Sequence, residues 1–162
     1  MEVDYQDVSG VVFRKSLENF AFMFAEPASK GVLSLLLSSF FSDLFLAEMY
    51  FFGEVNGELK IAIPTYLGVE MAVNGLGVEI NKSNERGYAQ EATGEFLKIV
   101  CEEMMEIISG KKITFDSSGP YMKLIDKDKG NDFLTDEKTI SFIVEEYPVL
   151  FQFEVYQKEQ VC

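Results

Sequence analysis

The chain has 162 residues, with 27 acidic and 14 basic side chains, a formal charge of −13, and neither histidine nor tryptophan. Its length fits one domain with a real core, and 48% hydrophobic residues mixed with both charge signs indicate a globular chain. The acidity disfavours phosphate backbones and anionic lipid, and suits either plain solubility or a basic patch on a protein partner. Without histidine, Ser-His and Cys-His nucleophile pairs and imidazole metal ligation are all excluded.

From the N-terminus, the acidic stretch "MEVDYQDVSG" has none of the basic and apolar regions of a secretory signal. Val8, Val11, Val12, Leu17, Phe20, Ala21 and Phe24 recur at helical spacing, which predicts an amphipathic helix over about residues 6–26, closed by Pro27. Residues 28–42 read equally as a short helix or a buried strand. The most apolar run, residues 32–52, is interrupted by Asp43 and Glu48 and followed by a hairpin signal, so a membrane span is the poorer reading. That hairpin is the stretch "LFLAEMYFFGEVNGELKIAIP", with Asn56-Gly57 expected at its turn. Leu59, Ile61 and Ile63 alternate with Glu58, Lys60 and Ala62, predicting one buried and one exposed face. Pro64 and Thr65 end the strand and start a helix through "YLGVEMAVNG", closed by Gly75 or Gly77.

A polar connection with Asn81, Ser83 and Asn84, all capping types, leads into a long helix over residues 87–110. Gly110 is placed for a left-handed cap, and Lys111 and Lys112 lie where the helix dipole favours cations. Strands are then expected at "KITFD", "YMKLID", "TISFIVEE" and "VLFQFEVYQ", the last two joined by a bend at "EEYP". The intervening "DKDKGNDFLTDE" has Asp126, Asp128 and Glu137 near calcium-loop spacing. Asn131 stands at the sixth position, where such a loop needs glycine, so a polar turn is expected. Cys101 falls inside the long helix as a small packing residue and Cys162 is the last residue, a usage that fits a reducing compartment. The order of helix, hairpin, two helices and a run of strands is an α+β pattern, a single domain over residues 1–162.

On the long helix Glu91, Glu95, Lys98 and Glu102 share one face, with Glu106 continuing it. Spacing alone makes this a solvated stripe whose Glu-Lys pairs contribute about 0.2–0.5 kcal/mol each.

The arrangement "GELKIAIPTYLGVEMAVNGLG", then "AQEATGEFLKIVCEEMMEIISG" and a strand-rich tail, resembles the CheX/CheC family of chemotaxis phosphatases over roughly residues 44–157. The single motif region is closer to the CheX form than to the duplicated CheC form. The resemblance implies a CheX-like fold, an antiparallel-rich sheet packed against helices, one of them long and motif-bearing. It implies a cytoplasmic chemotaxis signalling protein related to phosphatases of aspartyl-phosphorylated response regulators. The partner would be such a regulator, two copies would pair through their sheets, and no intrinsic cofactor is needed because the regulator supplies Mg²⁺. In the family motif G-E-x-x-N, the glutamate binds a lysine of the regulator and the asparagine carboxamide positions the attacking water. Gly94 and Glu95 match, but Lys98 stands where the asparagine is expected. An ammonium donates three hydrogen bonds and accepts none, so Lys98 cannot accept from a water as an amide does. The first helix does not restore the motif, since Glu18 is followed three residues on by Ala21. Glu95 and Lys98 are therefore the candidate catalytic residues of an enzyme with impaired hydrolysis. The alternative is a non-catalytic module, binding a response regulator or another protein on the same fold.

Overall fold

A computed structural model describes residues 4–39 and 44–156. Six antiparallel strands form one sheet: β1 (Ala25–Pro27), β2 (Leu44–Phe52), β3 (Gly57–Pro64), β4 (Asp116–Ile125), β5 (Ile140–Val144) and β6 (Tyr147–Val155), in the spatial order β1-β5-β6-β3-β2-β4. One face is covered by α1 (Tyr5–Ala21), α3 (Thr65–Met71) and α4 (Glu85–Ser109). Part of the other is covered by α2 (Lys30–Ser39) and α5 (Lys127–Thr135). The α+β expectation and the long helix are both met.

The strands alternate as their sequences predict. Phe45, Ala47, Met49 and Phe51 of β2 and Leu59, Ile61 and Ile63 of β3 face the three-helix layer in one large core. A second, smaller core lies across the sheet, where Leu33, Leu37 and Leu134 pack on Leu44, Leu46, Ala62 and Leu150. Ala62 was expected on an exposed face and is fully buried, because the α2–α5 pair covers that end of the sheet. Phe13 ties the layers together. Its ring stacks on Phe142 at 4.8 Å, meets Phe96 of α4 edge-on at 5.1 Å and lies 4.7 Å from Phe151.

Several local expectations need correction. α1 stops at Ala21, five residues early: Phe22 takes a left-handed conformation (φ 56°) and its N–H donates to the Glu18 carbonyl. Phe24 consequently falls outside the helix and is exposed, Val11 within it faces solvent rather than the core, and Pro27 ends a strand instead of a helix. Residues 30–39 resolve as helix, while residues 40–42 of that ambiguous stretch lie outside the described residues. The β2–β3 hairpin is present but does not turn on Asn56-Gly57 alone. Phe51 pairs with Gly57, so the connection is longer, and Asn56 closes it by accepting the Gly53 N–H through its side chain. Gly57 is needed for space instead, since a Cβ there would sit 2.1 Å from the Glu154 carbonyl oxygen. "EEYP" does form a tight bend, with Glu145 and Glu146 both at positive φ.

The last third differs more. The ladder of β4 starts at Asp116, so "KITFD" runs up to the sheet rather than forming a strand of its own, and "YMKLID" is the second half of one longer strand. The polar turn expected at residues 126–137 is mostly the helix α5. Asp126 accepts the Lys129 N–H as its N-cap, and Asp128 lies in the first turn, where the dipole favours a carboxylate. Among the described residues no cluster of three acidic or thiol side chains is placed to hold a metal ion, and no helix is long and apolar enough to cross a membrane.

Phe13 joins α1 to α4, β5 and β6 through one buried ring, so Phe13→Ala is expected to cost about 3–5 kcal/mol in urea unfolding. A loss under about 1 kcal/mol would mean that the helices are held to the sheet by other contacts.

Candidate functional site

The polar turn before α4 is closed by Asn81, whose side-chain oxygen accepts from the backbone N–H groups of Ser83 and Asn84. From there the helix runs 25 residues to Gly110, which caps it in the left-handed conformation (φ 74°). Its inward stripe, including Ala92, Phe96, Leu97, Val100 and Met104, is completely buried. Two small residues let it lie close to its neighbours. Ala89 packs against Gly68 of α3, where an added Cβ would come within 3.1 Å. Gly94 packs against Pro120 of β4, where the corresponding distance is 3.0 Å. Gly94 thus seats the helix on the sheet directly beside Glu95.

The outward stripe is Glu91, Glu95, Lys98, Glu102 and Glu106, all exposed. Glu95 and Lys98 form an ion pair at 3.8 Å, with side chains 50% and 49% exposed. The two motif positions are therefore presented together to solvent, while Ala21 of α1, the residue that fails to restore a second motif, is fully buried. Below Lys98 the stripe borders an open groove of about 590 Å³ between α4 and residues 112–117, floored by Met49 and Met105. Glu102, Glu103 and Glu106 form its helical wall and Lys112 and Phe115 lie on the opposite side. Sequence periodicity marks the helical wall only. The floor and far wall come from β2 and from the approach to β4, distant in sequence and carrying no shared pattern.

The whole arrangement has known counterparts. Neither a family model nor a curated protein sequence matches the chain, but solved structures do. CheX from Desulfovibrio desulfuricans superposes with a TM-score of 0.65 at 12% identity, covering 95% of this chain and all of that one. The chain has the CheX/CheC-like fold. CheX from Vibrio vulnificus gives 0.64 at 14% identity, covering 95% and 97% of the two chains. A CheX–CheY–BeF3–Mg²⁺ complex from Borrelia burgdorferi gives 0.61 at 13% identity, covering 96% and 100%. The superpositions cover nearly the whole of both chains, and in this CheX-like fold Glu95 and Lys98 occupy the outer face of the long helix.

Cys101, one turn below Lys98 on the inner side, is fully buried and unreactive in position. Burial, reinforced by the Glu102 carboxylate, pushes its thiol from 9.0 up to about 12. The folded protein therefore keeps a proton that the unfolded chain releases. This contribution to stability is complete below pH 9 and disappears as pH rises towards 12. Unfolding free energy should thus fall more steeply with pH in that window for the wild type than for Cys101→Ala. Parallel curves would show that the thiol is not held protonated by the fold.

The ion pair itself is solvent-exposed and weak. Glu95→Ala and Lys98→Ala are each expected to change unfolding free energy by less than about 0.5 kcal/mol. A loss above about 1.5 kcal/mol in urea titration would assign these residues a structural role instead.

Proposed function

We propose that this chain is a CheX-like chemotaxis signalling protein that docks a phosphorylated response regulator on the outer face of α4, with impaired phosphatase activity. The observation that carries this reading is the joint exposure of Glu95 and Lys98, as an ion pair, on the long helix of a fold shared with CheX proteins, one of them solved with CheY. Glu95 is the docking carboxylate, suited to a lysine of the regulator. Lys98 enters the neighbourhood of the phosphoryl group. It offers positive charge there but no lone pair, so it cannot orient water by accepting its hydrogen bond.

Hydrolysis of an aspartyl phosphate needs no histidine and no covalent intermediate, only a water aligned for in-line attack and charge compensation at the phosphoryl oxygens. The regulator's own Mg²⁺ supplies most of the latter, so this chain requires no cofactor. The 3.8 Å contact with Glu95 favours the binding-module alternative, because a paired ammonium offers less to a phosphoryl group than a free one. Two copies of the chain pairing through a sheet edge accompany this reading; β4 is the longer of the two edge strands.

The test is the decay of a phosphorylated chemotaxis response regulator with Mg²⁺, alone and with the wild type, Lys98→Asn or Glu95→Ala. The expected result is little acceleration by the wild type, a gain of about tenfold or more for Lys98→Asn, and weakened regulator binding for Glu95→Ala. Strong acceleration by the wild type that survives in Lys98→Ala would overturn the role given to position 98. Inertness of all three, with regulator binding intact, would select the binding module.

A further inference from the structure

We infer that the groove beside α4 is a docking site for an extended protein segment in which basic and apolar residues alternate, added as a strand along residues 112–117. The observation is a mismatch between sequence and fold. "KITFD" has strand composition, and its exposure alternates as a strand's does: Lys112 and Thr114 are exposed, Ile113 and Phe115 half-buried. Yet the ladder with β2 begins only at Asp116, and no strand accompanies residues 112–115 among the described residues. β4, which continues the segment, is the terminal strand of the sheet. An edge strand facing a helix across an open groove is the arrangement in which an extended peptide adds to a sheet, its backbone bonding the edge and alternate side chains filling the groove.

The lining specifies the occupant. Ile99, Ile113 and Phe115, all half-buried, give the groove apolar surface, with the fully buried Met49 and Met105 beneath it. Glu102, Glu103 and Glu106 present three carboxylates along the helical wall. Two cations, Lys98 and Lys112, also border the groove; Lys98 is shared with Glu95, so carboxylates stay in excess along the wall. The complementary segment is therefore extended and basic at the positions that face α4. This inference is independent of the response-regulator reading: it concerns the groove below Lys98 and holds whether or not position 98 meets a phosphoryl group.

The test uses a fluorescent, N-acetylated Lys-Leu-Lys-Leu-Lys-Leu peptide and its Glu-Leu counterpart with the full chain, followed by anisotropy and by amide exchange in the NMR spectrum. Saturable binding of the Lys-Leu peptide alone is expected, weakened about tenfold or more by the exposed double substitution Glu102→Lys, Glu106→Lys. Exchange of the Ile113 and Thr114 amides should slow on binding, a signature that nonspecific adhesion of a cationic peptide to an acidic surface does not produce. Equal binding of both peptides, no binding of either, or binding without slowed exchange at residues 113–115 would overturn the inference. So would an effect confined to joining or separating two copies of the chain. Glu26→Ala, exposed on the edge strand at the opposite end of the sheet, serves as the control outside the groove and is expected to bind the Lys-Leu peptide as the wild type does.

Discussion

The position of α4 relative to the sheet is the constraint on which everything else rests, and an aromatic contact and a missing side chain set it. Phe96 presses edge-on against Phe13, which is itself stacked on Phe142 of β5, so the helix is held to α1 and to the far side of the sheet at once. Two residues earlier, Gly94 lies against Pro120 of β4 with no room for a larger residue without movement. Between these two contacts the helix has little freedom to roll. A roll of one residue, about 100°, would exchange the buried and exposed stripes and remove the outer face altogether.

This accounts for why the exposed pair is well placed although it is weakly bonded. The Glu95–Lys98 contact contributes only a few tenths of a kcal/mol, far less than the burial of Phe96 and Leu97 beside it. The scaffold fixes the helix, and the pair rides on it. Any cation approaching Glu95 from outside replaces a weak bond with one of similar kind, so the fold offers little opposition to such a contact.

How far the sequence discloses the molecule follows from which interactions are local. The long helix, its glycine cap, the β2–β3 hairpin and the two-residue bend before β6 are all written in short-range pattern, and all are present. The end of α1 is not, because it depends on Phe22 adopting a left-handed backbone that its residue type gives no reason to expect. α5 was hidden for a related reason. Its residues are mostly polar, and apart from the buried Gly130 only Phe133 and Leu134 pack inward, so hydrophobic periodicity has almost nothing to register. Ala62 shows the limit from the other side: alternation correctly assigns its face, but burial of that face depends on α2 and α5 arriving from elsewhere in the chain.

The candidate site divides along the same line. Glu95 and Lys98 are visible as a helical stripe, and a short motif singles them out from three other carboxylates on the same face. The groove below them is invisible, since Met49, Glu102 and Phe115 meet only when β2, α4 and the approach to β4 are assembled. Its existence bears on what Lys98 means. A lysine, judged alone, is a donor with no lone pair to offer. A lysine at the mouth of a groove with three carboxylates is also a residue whose charge is managed by its surroundings: Glu95 holds it from one side, and Glu102 follows one turn below. Substituting asparagine would leave that acidic wall with one cation fewer, so the ammonium at position 98 tempers repulsion along the helix.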